Sequence, residues 1–484
     1  MSSKVAYTVY SYPPPNFIGE GDLGTAVYSG GTSGDVITES KGVVTQWVNP
    51  VTSNTEQLPG DTKVFYFKNS NGDNRAIVPA IQWGVGGAAC YFMIYNADTW
   101  SDGINPGRPI YGPALWTVVD SGSNNIPITN PYKFQTATVT ENATEHYYIY
   151  GIDFDNRIVF RVESAGDTYT LDTTAGHNFR LTPPTSQDSY GVDLQIVGDY
   201  FYALFISGIN ILTASPTYVN STVVKHLLDF SGTPSYTGPH GTTTVNPGPG
   251  EWPGKNAFSI QPQGDFLYLV ALGGMQHNAT PIVWNPESKI QKVALSDLEV
   301  TNLLKAAADN TDPATDRFDF RALTFNESGS QVFILTGAYN ASWVMTWRLY
   351  WLTIDSLNDA GDALLSDLTS AFPPDPTATF IATDNLSGYL WALLYSESTG
   401  KTWFARGNDL AIYGTGGIVG NAEGIGNLTT LAGSPNLNSI TIYGGEVAPP
   451  AQLKGYVAPA FASSSAMALL ERKRLLDEVA AAKK

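Results

Sequence analysis

Four stretches of the chain repeat one pattern: a β run, a polar turn with one glycine, and then a second, more apolar β run. The stretches cover residues 194–206, 258–272, 322–337 and 380–395. Their turns are centred on glycines 66, 65 and 59 residues apart, namely Gly198, Gly264, Gly329 and Gly388. A repeat of this length, with several strands in each unit, predicts a radially repeated all-β fold, most simply a β-propeller.

The same pattern extends in both directions, with further turns near Gly87, Thr144 and Ser434. Seven units result, each long enough for four short strands, and six or eight blades are the alternatives. Residues 24–48 precede the first unit and are also broken into short strands by Gly/Ser turns. Because open sheet edges promote aggregation, we expect strands from both ends of the chain to complete one blade. The predicted propeller occupies residues 1–445.

Several local elements are predicted within the propeller. Hairpins are expected over 62–78, 149–162 and 281–295, where Asn, Asp, Gly or Pro occupy the turns. Apolar residues at helical spacing predict short helical connectors over 295–310 and 356–372. Both connectors precede a new blade, so we expect them on one face of the disc.

The C-terminal tail differs from the rest of the chain. A Pro/Ala-rich linker covers 446–462, and residues 463–484 have a serine cap, good helix formers and an apolar stripe. The predicted helix carries more basic than acidic residues, whereas the body is acidic. Because an isolated helix of this length is marginal in water, it should dock on its own propeller or on a second copy.

Composition limits the partners. The formal net charge is −18, which disfavours nucleic acid and anionic lipid. No apolar run approaches the roughly 20 residues that cross a bilayer, and the N-terminus has no recognisable signal peptide. We therefore expect a cytoplasmic protein or one exported by a non-classical route. The one cysteine, Cys90, lies in an apolar run and is expected to be a buried small hydrophobe.

Local catalytic motifs are missing from the sequence: it has no P-loop, no Gly-x-Ser-x-Gly elbow, and no Cys/His cluster for zinc. We therefore predict no metal and no cofactor. Inner strands and loops of a propeller converge on its central channel, where a catalytic set could still assemble without a local motif. The candidates are two loop histidines, a loop carboxylate and an alternating strand pair, namely His240, His277, Glu251, Asp319 and Arg321.

Two tryptophans lie in the two longest loops, Trp100 in 98–113 and Trp252 in 231–255. Exposed aromatic faces stack on sugar rings or anchor protein partners, so both are candidate ligand-binding residues. The alternative is that each ring packs its loop onto the disc.

The strand–turn–strand units over about 80–450 resemble the YVTN/lactonase-like propellers, although no YVTN-type tetrapeptide occurs. The resemblance implies a propeller fold and either a surface-binding role or the ring-opening hydrolysis of lactones. Segments such as YFKNSNGDNR and DTW are similar, more weakly, to fungal-type propeller lectins, whose blades are shorter and more regular.

Three functions follow from these observations. The missing motifs, the low charge density and the tail favour a non-enzymatic binding or assembly protein that associates with itself or a protein partner through 463–484. The first alternative is a lactonase-like hydrolase or an isomerase that acts on a small molecule in the central channel. The second alternative is a glycan-binding, lectin-like propeller.

Deletion of 463–484 tests the assembly function. If the tail joins copies of the chain, the truncated protein should have a lower molar mass than the full chain in light scattering at equal concentration. An unchanged mass would exclude assembly through the tail.

Overall fold

The computed structural model describes residues 4–10, 17–23, 37–44, 46–59, 62–84, 87–100, 108–182, 189–207, 221–237, 253, 257–271, 275–276, 283–284, 288–305, 317–325, 329–339, 345–361, 363–364, 370–372, 378–386, 389–396, 401–408 and 436–443. The linker 446–462 and the predicted tail helix 463–484 lie outside these residues. Within them, none of the helices has the length and apolar character needed to cross a membrane.

The first half of the chain forms antiparallel sheets of consecutive strands. Sheet 1 joins β1 (Lys4–Tyr10), β2 (Phe17–Leu23), β3 (Ile37–Val44) and, from the other end of the chain, β35 (Asn436–Tyr443). A small hairpin joins β4 (Gln46–Val48) and β5 (Thr55–Gln57). Sheet 2 contains β6 (Phe65–Lys68), β7 (Asn74–Gly84), β8 (Gly87–Asn96) and β9 (Tyr111–Leu115). A second small hairpin joins β10 (Thr117–Val119) and β11 (Asn125–Pro127).

Two further sheets follow. Sheet 3 contains β12 (Pro131–Glu141), β13 (Thr144–Asp153), β14 (Ile158–Ala165), β15 (Thr168–Leu171) and the short β16 (Phe179–Arg180), which pairs with β14. Sheet 4 contains β17 (Ser189–Val197), β18 (Tyr200–Ser207), β19 (Thr222–Leu227) and β20 (Ser235–Thr237).

The remaining strands form three more sheets. Sheet 5 contains β21 (Ala257–Gln263), β22 (Phe266–Ala271), β25 (Lys289–Ala294), β26 (Val300–Lys305) and β30 (Ala363–Leu364), and β23 (Met275–Gln276) pairs separately with β24 (Val283–Trp284). Sheet 6 contains β27 (Arg317–Phe325), β28 (Gln331–Tyr339), β29 (Met345–Thr353) and β31 (Ser370–Phe372), with helix α1 (Ile354–Asn358) after β29. Sheet 7 contains β32 (Ala378–Leu386), β33 (Tyr389–Ser396) and β34 (Lys401–Asn408).

The sheets form a closed ring. The innermost strands β6, β12, β17, β21, β27, β32 and β35 contact one another in that order, and β35 contacts β6 again. Sheet 1 closes the ring because β1 pairs antiparallel with β35, from Lys4 opposite Tyr443 to Tyr10 opposite Asn436. The predicted propeller with terminal strands in one blade is confirmed. The described residues hold seven such sheets, and the blade count of the complete chain stays a prediction.

The hairpin turns are located where the glycine pattern predicts them. Gly198, Gly264 and Gly329 have φ angles of 60°, 59° and 67°, a left-handed backbone that favours glycine. The turn near Thr144 uses Asn142 and Ala143 instead, also at positive φ. The predicted turns at Gly388 and Ser434 lie outside the described residues.

Two predicted connectors and one hairpin are wrong. Most of 295–310 is not helical, because Val300–Lys305 pairs as β26 with β25 and buries Val300, Leu303 and Leu304. Among the described residues of 356–372, only 356–358 belong to a helix, the short α1 (Ile354–Asn358). Segment 281–295 makes no hairpin, since β24 pairs with β23 and β25 pairs with β22. Strand pairing outweighs local helical spacing in 295–310, where the partner of β26 is the preceding strand β25.

Apolar clusters between neighbouring sheets hold the ring together. The cluster between sheets 3 and 4 contains Tyr150, Leu194, Phe201 and Val224, all less than a tenth exposed. Cys90 in β8 is 1% exposed and lies in the cluster between sheets 2 and 3, where burial raises the pKa of its thiol well above the usual value. Its prediction as a buried small hydrophobe is confirmed.

A β-bulge recurs in six innermost strands. The register of β12, β17, β21, β27, β32 and β35 shifts by one residue within each strand. A bulge leaves one residue outside the ladder and turns local backbone groups away from their own sheet. The bulged residues are Tyr132, Val192, Phe258, Arg321, Ile381 and Asn438.

The N–H just before the bulge bonds to the preceding sheet in three successive blades. Gly191 N donates to the Phe154 carbonyl at 3.1 Å, and Ala257 N donates to Ser221 Oγ at 3.0 Å. In the next blade, Phe320 N donates to Ser288 Oγ at 3.0 Å. These bonds join sheet 3 to 4, 4 to 5 and 5 to 6.

Gly191 permits the close approach of β17 to sheet 3 that its hydrogen bond to Phe154 requires. A Cβ at this position would lie 2.7 Å from Ile152 Cγ1 and 2.8 Å from the Asp153 carbonyl oxygen. Both distances are too short for non-bonded atoms, so only glycine brings β17 this close to sheet 3.

Asp193, one residue beyond the bulge of β17, connects three sheets. Its Oδ1 accepts from Lys133 Nζ of sheet 3, and its Oδ2 accepts from Ile260 N of sheet 5 at 2.7 Å. Gln195 Nε2 donates to the carbonyl of the same Ile260 at 2.9 Å. The side chain of Asp193 is 4% exposed, so these bonds are shielded from water.

Asp193→Ala should destabilise the ring, because it leaves a lysine and a buried N–H without their acceptor. We expect a loss of about 3 kcal/mol in the free energy of unfolding, measured by urea denaturation. Glu163→Gln is the control: it breaks a pair with His146 on a partly exposed surface and should cost less than about 1 kcal/mol. Equal losses in the two variants would contradict a structural role for Asp193.

Candidate functional site: a rim pocket between sheets 3 and 4

Most of the predicted channel residues cannot be located. His240, Glu251, Trp252 and His277 lie outside the described residues. Asp319 and Arg321 belong to β27, but only their backbone is described. Arg321 is the bulged residue, so the strict alternation that would place it on one face with Asp319 is interrupted. A catalytic role for His240, His277, Glu251, Asp319 and Arg321, and a ligand-binding one for Trp252, stay predictions.

Trp100 is a core residue in the structure. Its side chain is 2% exposed, and its ring lies 6.2 Å from that of Tyr95 in the cluster beneath sheet 2. An indole ring buried to this extent has no exposed face on which a ligand could stack. The loop tryptophan therefore packs its loop onto the disc, and the ligand-binding interpretation is replaced by the packing one.

A cavity of about 580 Å³ opens between sheets 3 and 4, within the size range of small-molecule sites. It is formed by the turn of the β10–β11 hairpin, the β13–β14 turn, the segment around β16, and the third strand of sheet 4 with the loop that follows. Because third and fourth strands lie far from the ring axis, the site is at the rim and not in the central channel. We call it the rim pocket. Its polar and charged lining includes Asp120, Arg157, Asn178, Arg180 and His226.

Asp120 holds its hairpin turn in shape and stays ionised. Its Oδ1 accepts from Gly122 N at 2.9 Å and from Asn124 N at 2.8 Å, while Asn124 Nδ2 reaches both carboxylate oxygens. These hydrogen bonds, chiefly those from Asn124, lower the pKa of Asp120 below its usual value. Arg180 Nη1 lies 3.5 Å from Asp120 Oδ2, so the two charged groups form an ion pair in the pocket lining.

The other polar groups come from sheet 3. Asn178 Nδ2 donates to the Val119 carbonyl at 2.7 Å, which ties the β10–β11 hairpin to the segment before β16. Arg157 lies in the β13–β14 turn with a left-handed φ of 57°. Two guanidinium groups against one carboxylate give the lining a local positive charge in a chain of net charge −18.

His226 on β19 supplies a neutral imidazole. The residue is 6% exposed, and its ring stacks on Phe201 at 5.6 Å with an interplanar angle of 16°. Burial lowers the pKa of His226, and the nearby Leu227 backbone and Asp229 carboxylate oppose this shift only in part. Its Nδ1 has no hydrogen-bond partner among the described residues. At neutral pH the ring can therefore give or take one proton.

A buried ion network supports the pocket wall from below. The Arg161 guanidinium, with no exposed area, lies 2.6 Å from Glu141 Oε1 and 2.8 Å from Asp172 Oδ2. His177 Nδ1 lies 3.0 Å from the same Asp172 oxygen. His177 is flanked by two pocket-lining residues, Gly176 and Asn178, so the network fixes the segment that forms this wall.

The rim pocket can bind an anion and exchange a proton with it. Guanidinium groups bind carboxylates and phosphates in fork geometry, and an amide adds neutral donors and acceptors. A neutral imidazole beside them can act as an acid or a base near neutral pH.

No sequence motif pointed to this pocket. Asp120, Arg157, Arg180 and His226 come from four separate elements, and only the ring brings them together. His226 is one of five histidines scattered along the chain, and nothing in its neighbouring residues distinguishes it. The one local signal is the Asp-Ser-Gly-Ser-Asn turn at 120–124, which predicts a turn and not a ligand site.

No family model and no curated protein matches the chain. Solved propeller structures are similar to it in fold. A protein from Bacteroides uniformis, provisionally named 6-phosphogluconolactonase, is 10% identical with a TM-score of 0.46, covering 91% of this chain and 99% of that one. Its counterpart from Bacteroides fragilis is 10% identical with a TM-score of 0.43, covering 92% and 98%. The periplasmic gluconolactonase of Pseudomonas aeruginosa is 9% identical with a TM-score of 0.40, covering 87% and 97%. The likeness concerns the fold alone.

Replacement of His226 should change how stability depends on pH. Because its pKa is lowered on folding, the unfolded chain binds a proton more readily, and the folded state loses stability as pH falls below about 6.5. His226→Phe keeps an aromatic ring among Phe179, Phe201 and Phe230 but cannot be protonated. The fall in melting temperature between pH 7.5 and pH 5.5 should be smaller in the variant. An identical fall in both proteins would contradict a buried neutral imidazole.

Proposed function

We propose that the protein binds a small organic anion, such as a carboxylate-bearing or phosphorylated metabolite, in the rim pocket. The observation that supports this proposal is the convergence of Arg157, Arg180 and a buried imidazole on one cavity of about 580 Å³. A cavity of this volume accommodates a metabolite and not a folded partner.

Electrostatics support an anion as the ligand. The charged groups of the lining are Arg157, Arg180 and Asp120, and Asp120 forms an ion pair with Arg180 at 3.5 Å. Asp120 also repels anions that cannot reach the guanidinium groups, so a ligand should carry its charge at one end and hydroxyl or carbonyl groups at the other. Because most of the protein is acidic, non-specific anion binding elsewhere on its surface is disfavoured.

Hydrolysis of a cyclic ester is a second candidate function, and the specific observation in its favour is the neutral, buried His226 in the lining. In such a reaction His226 takes a proton from water, and the hydroxide adds to the ester carbonyl. An arginine stabilises the resulting oxyanion, and the ring C–O bond breaks as the proton returns to the leaving oxygen. One lactone and one water give one hydroxy acid, which itself is a small organic anion.

This function differs from the assembly role that the sequence favours. Self-association through 463–484 stays a separate prediction, and it is compatible with a ligand site in the rim pocket. A catalytic site in the central channel likewise stays a prediction that rests on residues outside the described ones.

Arg157→Gln and Arg180→Gln should each weaken anion binding about tenfold or more, because each removes a charged donor worth roughly 1.5–3 kcal/mol. Calorimetric titration with gluconate, citrate and inorganic phosphate measures the affinity, which should also fall with added salt. Lys68→Gln is the matched control, since it removes one positive charge at an exposed site in sheet 2. Equal affinities in all four proteins, or no binding by the parent chain, would contradict the proposal.

The same proteins distinguish the two candidate functions. With δ-lactones of five-carbon and six-carbon acids as probes, hydrolysis is followed by base uptake at constant pH. A hydrolase should lose about a hundredfold or more in rate on His226→Phe. If the protein binds anions but hydrolyses none of these lactones, the hydrolase function is excluded and anion binding is retained.

A further inference from the structure

The outer edge of sheet 2 is apolar and open to solvent. Its outermost strand β9, together with the preceding Ile110, reads Ile-Tyr-Gly-Pro-Ala-Leu and carries no charged side chain. The side chains at the two ends of this stretch, Ile110 and Leu115, are 42% and 59% exposed. Among the described strands, β9 pairs only with β8. Natural proteins cover such an edge or place charges on it, because it otherwise promotes contact with other chains.

The β4–β5 hairpin continues this apolar surface. The ring of its Trp47 lies 5.2 Å from that of Tyr91, measured between centroids. Tyr91 is in turn directly opposite Leu115 in the ladder of β8 and β9. Two valines of the hairpin, Val48 and Val51, are 54% and 74% exposed. The hairpin therefore adds its exposed valines next to the edge of sheet 2.

Exposure of aliphatic side chains is concentrated in this sector of the ring. In the described part of the chain, every highly exposed large aliphatic side chain belongs to this surface, and the other exposed large apolar residues are the tyrosines Tyr132 and Tyr200. Single exposed apolar side chains are common, but a group confined to one sector marks a surface that another element covers. We call the surface formed by β9, Ile110, Val48 and Val51 the apolar edge.

The backbone of β9 favours a helix over a strand as the covering element. Its register with β8 shifts between Phe92 and Ile94, and Pro113, which has no N–H, lies in the shifted stretch. A bulged strand with a proline is a poor template for a further strand. A helix satisfies its own backbone groups and can cover the edge with side chains alone.

The C-terminal tail has the composition of such a helix. Residues 463–484 are predicted to be helical, with Leu469, Leu476 and Val479 on one face. At 1.5 Å per residue this helix would be about 33 Å long, which exceeds the roughly 17 Å from Ile110 to Leu115. It carries five basic and three acidic residues. Because the rest of the chain is acidic, net charge favours its docking on the propeller.

The linker has the length that brings the tail to the apolar edge of its own chain. Strand β35 ends at Tyr443 in sheet 1 and contacts β6 of sheet 2. One gap between sheets and three strand spacings then separate β35 from β9, a span of roughly 25 Å. A flexible chain of the length of 444–462 has an r.m.s. end-to-end distance of roughly 25 Å. When the two lengths match, the effective concentration of a tethered segment is highest, in the millimolar range, which favours its own propeller over a second copy.

We propose that residues 463–484 dock as a helix on the apolar edge of the same chain, with Leu469, Leu476 and Val479 facing β9 and the β4–β5 hairpin. The docked tail covers the open edge of sheet 2 and shields it from other chains. This docking competes with self-association through the tail, because one helix cannot occupy both places. It does not involve the rim pocket and holds whether or not that pocket binds an anion.

Hydrogen–deuterium exchange of peptides from 463–484 tests the proposal. An isolated helix of this length is marginal in water, so an undocked tail should exchange at the rate of an unstructured chain. In the full chain we expect exchange about tenfold slower or more. Val51→Asp with Leu115→Asp should remove this protection, because it places two charges under the apolar face of the helix. Leu469→Asp with Leu476→Asp should remove it from the tail side and leaves the propeller residues unchanged.

Tyr200→Asp is the matched control, because it makes the same kind of change at an exposed apolar residue of sheet 4. The tail should stay protected in this variant. It should also stay protected in Arg157→Gln, so failure of the rim-pocket function does not affect the result. A tail that exchanges at the unstructured rate in the parent chain, or stays protected in both double variants, would overturn the proposal. Protection that falls on dilution together with the molar mass in light scattering would also overturn it, because the tail then docks on a second copy.

Discussion

The ring of sheets depends on the hydrogen bonds that leave the innermost strands at their bulges. A sheet satisfies its own backbone groups, and two sheets packed face to face need only apolar contact. At each bulge, however, one N–H is turned away from its own ladder and would be unsatisfied in the interior. In sheets 4, 5 and 6 the preceding sheet accepts that N–H, through the Phe154 carbonyl, Ser221 and Ser288. The angle between blades is therefore fixed by directional bonds and not by apolar packing alone.

The rim pocket lies at the junction of sheets 3 and 4, which departs from this pattern. The residue before the bulge of β12 is Pro131, which has no N–H, and Lys63 binds its carbonyl instead. In sheet 4, the side chains of Asp193 and Gln195 bind the backbone of Ile260 in sheet 5. The position of sheet 3 that corresponds to Asp193 is Lys133, and its side chain pairs with Asp193 itself. Side chains thus replace backbone bonds at the inner end of this junction, and the rim pocket lies at its outer end.

The sequence predicts the parts of this structure that are decided locally. Turn glycines such as Gly198 and Gly264 require a left-handed backbone, and their spacing shows the repeat directly. Segment 295–310 has helical spacing but pairs as a strand, because its hairpin with the preceding strand β25 and the burial of Val300, Leu303 and Leu304 decide its state. The rim pocket could not be predicted, since Asp120, Arg180 and His226 meet only when the ring forms. The bulge that releases Tyr132 leaves no recognisable mark in the sequence.

Closure of the ring by the two ends of the chain is the central claim about this fold, and a cysteine pair tests it most directly. Ala6 of β1 is directly opposite Thr441 of β35, so Ala6→Cys with Thr441→Cys should form a disulfide on mild oxidation. The resulting covalent circle of nearly the whole chain should migrate differently from the reduced form on a denaturing gel, whereas either single variant should not. A pair that stays reduced in the folded protein would contradict a closed propeller and favour an open stack of sheets.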